Sequence, residues 1–406
     1  MQASFVRNAV VLGLLTAIGP FAVDMYLPSL PSVATSFGAD ADGALLSMTA
    51  FFVTFALGQL IYGPSSDLLG RRRPLVAGIM IFVVASVGCA MARSLPQLIG
   101  FRMLQGLGGA SGMVIARAIV RDLHRGVDEA RLLSLLMLVF SVSPICAPLI
   151  GNGVIALTSW RGVFWGVAGI AVLGLIAIAL YIPETRPPAA RGDARLGDVV
   201  RACGRLLVDR TFVGLTLVSS FAFSGFLVYL ASSPFVLSHQ YGQSSLEYSL
   251  AFSVNAVAFF AAMQLTGGLA ARFGLGRLIR PAVLGFALTL LATLGLAAAG
   301  ADRFAVVAIG LFVAYGFLGV ILPVASVLAL DAHGAIAGTA ASLMSALQLA
   351  TGSIMVAVSG QIGDGSIVRL LAAIAGCAVL AALSQLTLGR VRPGAAPALP
   401  AHFEIG

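Results

Sequence analysis

Twelve apolar stretches, each long enough to cross a bilayer, leave this chain almost no room for a soluble domain. A helix of roughly 20 apolar residues spans the hydrocarbon of a membrane. Such stretches fall at 9–29, 44–64, 74–92, 97–120, 133–155 and 162–182, and after a polar break at 212–237, 246–270, 279–299, 303–327, 335–359 and 367–389. Charged residues are only 10% of the chain. Soluble domains carry about 25%, so the outer surface is expected to face lipid. The expected fold is an all-α integral membrane protein of twelve transmembrane helices in two six-helix pseudo-repeats.

The organisation follows from the break. Residues 1–182 are expected to form an N-terminal six-helix bundle and 212–390 a C-terminal one. The linker, 183–211, opens with Pro183-Glu184-Thr185-Arg186-Pro187-Pro188, which cannot be helical throughout. Further on, Leu196, Val199, Val200, Cys203, Leu206 and Leu207 recur at helical spacing, opposite Arg195, Asp198, Arg201 and Arg205. That pattern predicts an amphipathic helix on the membrane surface, with a solvated connector as the alternative. The tail, 391–406, is rich in Pro and Ala and is expected to be disordered.

Arginine sets the orientation. The chain has no lysine, and 19 of its 24 arginines fall in segments on one side if the N-terminus is cytoplasmic. Arg93, Arg161, Arg303 and Arg369 fall on the other side, and Arg102 lies within a span. Positive residues stay inside, so both termini are expected in the cytoplasm. The same pattern explains the net charge of +8 without a nucleic-acid partner. The first span lacks a small-residue cleavage site and reads as an uncleaved helix. Four scattered cysteines, Cys89, Cys146, Cys203 and Cys377, suggest neither a disulfide framework nor a metal knuckle.

An internal repeat supports the two-fold organisation. Gly63-Pro-Ser-Ser-Asp67-Leu-Leu-Gly70 ends the second span and Gly267-Gly-Leu-Ala-Ala271-Arg-Phe-Gly274 ends the eighth. Paired halves of this kind place a transporter's site at their interface.

Charges inside spans mark chemistry. An acid at mid-membrane costs about 2.5–3.5 kcal/mol on insertion scales, so Asp24 is a functional candidate. A carboxyl there that takes up and releases a proton would couple transport to a proton gradient. The alternative places Asp24 at the outer interface, capping the Tyr26-Leu27-Pro28 bend. Arg102 begins a stripe with Gln105, Gly106, Gly109, Met113 and Ala116. It is expected to orient Asp24 or to face a water-filled cavity, with snorkelling to the interface as the alternative. Pro144, Pro148 and Gly151 share a face of the fifth span and predict a kinked, close-packed helix. Asp67 with Arg71, Arg72 and Arg73 reads as an inner-loop latch, pairing with Arg121 or resting on a helix N-terminus near Gly334. Gln59, Tyr62, Tyr229, Asn255, Tyr315 and Gln348 are candidates for lining a cavity, with packing as the alternative.

Absences narrow the class. Without lysine there is no phosphate-loop motif, so the chain alone is not an ATP-driven pump. No zinc-ligand spacing and no G-x-S-x-G elbow occur, so neither an enzyme, a metal site nor a cofactor is expected.

Three segments come first: Asp24-Met-Tyr-Leu-Pro-Ser-Leu-Pro31, Gly58-Gln-Leu-Ile-Tyr-Gly-Pro-Ser-Ser-Asp67-Leu-Leu-Gly-Arg-Arg72 and Arg102-Met-Leu-Gln-Gly-Leu-Gly-Gly109. Ala116-Arg-Ala-Ile-Val-Arg-Asp122, Pro183-Glu-Thr185 and Ala337-Gly-Thr-Ala-Ala-Ser-Leu343 follow in order. Together these segments resemble the Bcr/CflA group of drug:proton antiporters in the major facilitator superfamily. The resemblance implies alternating access and export of drug-like molecules such as bicyclomycin or phenicols in exchange for protons. It implies a proton and substrate role for Asp24, a helix-4 partner role for Arg102, and a latch built on Asp67 and Arg71. Tyr26, Gln105, Asn255 and Gln348 join Asp24 and Arg102 as the expected cavity set. Gly63, Asp67, Gly70, Arg71, Arg72 and Arg121 form the expected latch. The chain departs from the family pattern at Leu68, where arginine is usual, at Ala271, where the second copy loses its acid, and in the thinned glycine pattern around Gly151.

The expected function is proton-coupled drug efflux by a monomer in a bacterial inner membrane. Its partners are the drug, protons and the bilayer. The rival is a proton-coupled importer of a nutrient on the same fold. A sugar site would want more polar groups within the helices than this sequence offers.

Overall fold

A computed structural model of the chain describes residues 3–124, 126–186, 196–331, 333, 336–362 and 365–388. Expectations resting on Pro187, Pro188, Arg195, Gly334 and residues 391–406 fall outside these, as do the side chains of Leu196, Asp198, Val199 and Val200.

The first span breaks where its sequence turns proline-rich. Helix α1, Ala3–Asp24, ends at the acid, a 3-10 turn follows at Leu27–Ser29, and α2, Leu30–Ser36, completes the crossing. Pro28 and Pro31 each sit in the first turn of the new element, where a missing N–H costs nothing. The expected apolar run, 9–29, therefore stopped a helical turn or two short of its true end. Helices α3 (Ala41–Leu69), α4 (Arg72–Met91), α5 (Leu95–Leu123), α6 (Val127–Leu157) and α7 (Trp160–Tyr181) complete the first six spans. A short helix, α8 (Leu196–Val208), precedes α9 (Arg210–Tyr241), α10 (Ser245–Phe273), α11 (Leu275–Ala298), α12 (Phe304–Asp331), α13 (Ala337–Ile362) and α14 (Ile367–Thr387). In all, twelve helical segments of the described residues are long and apolar enough to cross a membrane.

Several helices start on side-chain caps. The Asp40 carboxylate accepts from the Gly43 amide, Asp209 from Thr211 and Phe212, and Ser244 forms a capping box with Glu247. These satisfy amides that no helical carbonyl reaches. The sequence repeat shows in the backbone too. Gly70 ends α3 with φ 88° and Gly274 ends α10 with φ 81°, a region that side chains with a Cβ avoid.

Val84, Leu173, Leu180, Leu288 and Ile309 are exposed. So broad an apolar exterior suits lipid rather than water. Inside, helices approach closely where glycine removes the side chain. A Cβ on Gly106 of α5 would overlap the Phe51 carbonyl of α3, and one on Gly151 of α6 would overlap the Met25 main chain at the α1 break.

The loops alternate between two faces. One face carries the start of α1, the α3–α4 turn, the end of α5 and α8, and it holds most of the arginines. We call it the Arg-rich face. At the opposite, Arg-poor face the first and last six spans meet. There α6 packs on α10, α3 packs on α13, and the Leu27–Ser29 turn touches α6, α9 and α10. Ser253 donates to the Ile145 carbonyl at 2.7 Å, and Ser249 to the Pro148 carbonyl at 3.3 Å. Toward the Arg-rich face the same two sets of helices part around a cavity.

Candidate functional site

Asp24 closes α1 at the point where the helix breaks, and it is 4% exposed. Its carboxylate accepts a hydrogen bond from Ser143 of α6 at 3.1 Å. Ser143 stands one residue before Pro144, and Pro144, Pro148 and Gly151 are all buried. The proline helix thus holds Asp24 with a hydroxyl and packs Gly151 onto Met25, the residue that follows the acid. Tyr248 of α10 is a fully buried neighbour within electrostatic reach of Asp24. Among the described residues Asp24 has this hydroxyl donor and no ion-pair partner, a setting in which burying the charged form of a carboxyl is costly.

Arg102 is 0% exposed and does not pair with Asp24. This corrects the expected Asp24–Arg102 partnership and the expectation that Arg102 faces a cavity. Its Nη1 donates to the Ala22 carbonyl at 3.1 Å and to Gln105 Oε1 at 2.6 Å. The guanidinium stands 4.4 Å from the Phe51 ring centre, 4.8 Å from that of Tyr26 and 5.8 Å from that of Phe164. Three aromatic faces therefore replace a counter-ion. Gln105 passes the chain on, donating to Ser86 at 2.7 Å, and Tyr26 shares a 2.9 Å hydrogen bond with Ser47. Gln105 and Tyr26 are thus consumed by packing around Arg102 and do not line open space. The link to Asp24 is indirect. Arg102 holds the carbonyl two residues before it, in the last turn of α1.

Asn255 is buried and donates to the Tyr229 hydroxyl at 3.1 Å. Tyr229 belongs to a cluster of rings in the second half, stacking on Phe252 at 6.1 Å and tilting against Tyr315 at 5.6 Å. Gln348 is half-buried on α13.

The loop between α3 and α4 carries a dense ion network. Arg71, 5% exposed, donates to Asp67 at 2.7 Å and from Nε to Asp122 at 2.8 Å. It also reaches the Ser66 hydroxyl at 2.8 Å. Burial alone would disfavour the Arg71 cation, but the hydrogen bond and charge of Asp122 and the charge of Asp67 outweigh it and hold its pKa above the usual arginine value. Glu184 accepts from the Arg71 amide at 2.8 Å and the Arg72 amide at 3.3 Å, at the N-terminus of α4. Arg186 pairs with Asp67 at 2.9 Å, and Thr185 donates to Asp122 at 2.9 Å. Arg72 turns outward and donates to the Ala179 carbonyl.

Two expectations need correction here. Asp67 does not pair with Arg121; its cations are Arg71 and Arg186. The network joins elements of the first half and the start of the linker. Asp122 and Glu184 are central and were not singled out as site residues. Their signal was present, since both are acids at span ends within the segments Ala116–Asp122 and Pro183–Thr185. Leu68, where a cation was expected, is exposed, and Arg186 supplies the second cation instead.

Beside this network lies the cavity, about 470 Å³. Gln59, Gly63, Asp67, Arg71, Met113, Arg117, Arg121 and Asp122 line it from the first half. Gly338, Thr339, Ser342 and Ser345 line it from α13, and Cys203 of α8 closes one edge. The linker contains a helix, α8. Leu206 is buried, Leu207 is exposed, and α8 packs on α9 and α13.

Comparison with known proteins agrees with this geometry. The chain is 34% identical over 95% of its length, and 96% of the relative's, to an uncharacterised MFS-type transporter, YdgK, of Bacillus subtilis (strain 168). It is 27% identical to a bicyclomycin resistance protein homolog of Haemophilus influenzae, over 93% of this chain and 94% of that one. Its fold is similar to the crystal structure of a D-xylose-proton symporter, with a TM-score of 0.79 and 17% identity, covering 95% of this chain and 98% of the other. The family description of the Major Facilitator Superfamily matches residues 12–360. With its twelve spans, two opposed sets of helices and a cavity between them, this multi-pass membrane chain belongs to the Major Facilitator Superfamily of transporters.

Proposed function

We propose that the chain exports drug-like small molecules across a bacterial inner membrane in exchange for protons, as a member of the Bcr/CflA group. The observation that carries this reading is the placement of Asp24. It is a buried acid at the break in α1, held by Ser143 of the proline helix, beside the seam where the two halves close. The similarity to a bicyclomycin resistance protein homolog supports an antibiotic-like substrate. The arginine distribution supports a cytoplasmic Arg-rich face, so the cavity opens to the cytoplasm.

In this reading the drug enters from the cytoplasm while the Arg-poor face is shut by the α6–α10 and α3–α13 contacts. Opening to the other side exposes Asp24, which takes a proton as the drug leaves. Return of the protonated carrier releases the proton inside. Drug and proton oppose one another because Asp24 serves both. An electrical gradient supplies about 2.3 kcal/mol per charge per 100 mV, and each pH unit adds about 1.4 kcal/mol. One or two protons therefore sustain a large drug gradient.

Growth inhibition tests the reading. An efflux-deficient bacterium expressing the wild type is expected to resist bicyclomycin or a phenicol, and Asp24→Asn at matched expression is expected to lose that resistance. Resistance unchanged in Asp24→Asn would remove the acid from coupling. The absence of resistance to any compound in a broad panel would favour an importer.

A further inference from the structure

Two guanidinium groups on the wall of the cavity lack a counter-ion among the described residues. Arg117 and Arg121 stand one turn apart on α5, both line the cavity, and neither has an ion-pair partner among the described residues. They act on each other as like charges. The Arg117 Nε is buried without any hydrogen-bond partner, a condition that costs a guanidinium as much as a lost charge-assisted bond. The two acids on the same wall are already engaged. Asp67 is held by Arg71 and Arg186, and Asp122 by Arg71 and Thr185.

On the opposite wall, Thr339, Ser342 and Ser345 of α13 line the same space with hydroxyl side chains, which can donate to an anion. The first turn of α13 also lines it, and Arg121 lies 3.8 Å from where a Cβ on Gly338 would stand. The start of a helix is its positive end. Bringing α13 against α5 to close this face would press two cations onto that positive end.

We propose that the cavity receives an anionic group of the transported molecule, a carboxylate or phosphate, between Arg117 and Arg121 on one side and the first turns of α13 on the other. Resting on the export reading, this extends its substrates from neutral drugs to organic acids and zwitterions, whose bound anion offsets the two cations as the Arg-rich face closes. Planar carboxylates and phosphates suit the guanidinium fork.

Cys203 provides the readout, because it lines the cavity with a free thiol. The full chain, carrying Cys146→Ser, is placed in phosphatidylcholine nanodiscs and alkylated with N-ethylmaleimide. 1-Naphthoate and 1-naphthyl phosphate are expected to slow alkylation saturably, and the neutral 1-naphthamide is not. Arg117→Gln or Arg121→Gln is expected to raise the protecting concentration about tenfold, while Arg117→Lys keeps most of the protection. Ser342→Ala, on the other wall, gives a smaller shift and serves if the arginine variants do not fold. Equal protection by the amide, no protection by either anion, or protection unmoved by all of these substitutions overturns the proposal. If added phosphatidylglycerol alone protects Cys203 and removes the effect of naphthoate, the anion is a lipid headgroup and the substrate assignment falls. The export reading is judged separately by Asp24→Asn, which leaves these cavity residues untouched.

Discussion

At the scale of residues, the two buried charges of the first half have different roles. Asp24 accepts one hydrogen bond among the described residues, from the Ser143 hydroxyl, where the two halves meet. Arg102 is fixed by a carbonyl, an amide oxygen and three rings. Lysine at this position carries the same charge but cannot span those partners with a planar fork. Arg102→Lys is therefore expected to destabilise the protein by about 1–3 kcal/mol, seen as a lower midpoint in detergent thermal unfolding. Unchanged stability would show that the rings and carbonyl add nothing beyond charge. The sequence marked both residues, because a charge within an apolar run stands out. It could not show that they do not meet. That depends on how α1 and α5 are rotated about their axes, and a stripe of small residues sets closeness without setting which side chains face each other.

At the scale of elements, the α3–α4 turn works through Arg71 rather than through the run of arginines as a whole. Arg71→Ala leaves Asp67 and Asp122 without their shared cation and is expected to cost about 1–3 kcal/mol, reduced by the partial exposure of the acids. Arg72→Ala, which loses one contact at an exposed site, is expected to change stability by less than about 0.5 kcal/mol. Equal effects in thermal unfolding would contradict the assignment. Gly70→Ala is expected to cost about 1 kcal/mol by forcing a Cβ into positive φ. The helices themselves were legible from run length, since lipid forces every backbone group in a span to bond within its own helix. Their ends were not. Helix α3 outruns its apolar stretch at both ends because polar first and last turns reach past the hydrocarbon. The partners of the turn were hidden for another reason. Asp122 lies 51 residues from Arg71 and Glu184 lies 113 residues away, and no local pattern encodes such pairings.

At the scale of the whole molecule, the hydroxyls of α10 help to hold the Arg-poor face shut. Ser253→Ala removes the bond to the Ile145 carbonyl and is expected to weaken that closure by about 0.5–1.5 kcal/mol. The balance then moves toward a state closed at the Arg-rich face, so Cys203 alkylation is expected to slow severalfold. Faster alkylation would mean that the contact does not stabilise this state. Burial and the desolvation that accompanies it hold the Cys203 thiol above its usual pKa, so the comparison is made at one alkaline pH. The two-fold organisation could be read from the Gly63–Gly70 and Gly267–Gly274 repeat, but the open side of the cavity could not. Which face the two halves leave apart depends on contacts between α6 and α10 and between α3 and α13, across more than a hundred residues of chain.

The exchange of protons for drug through Asp24 is tested most directly in everted membrane vesicles whose lumen has been acidified by respiration. Luminal pH is followed while bicyclomycin or a phenicol is added to the bath. The wild type is expected to raise luminal pH as drug enters and protons leave, and Asp24→Asn is expected to give no response at equal expression. A response of the same size in Asp24→Asn, or a drug-driven fall in luminal pH, would contradict the account.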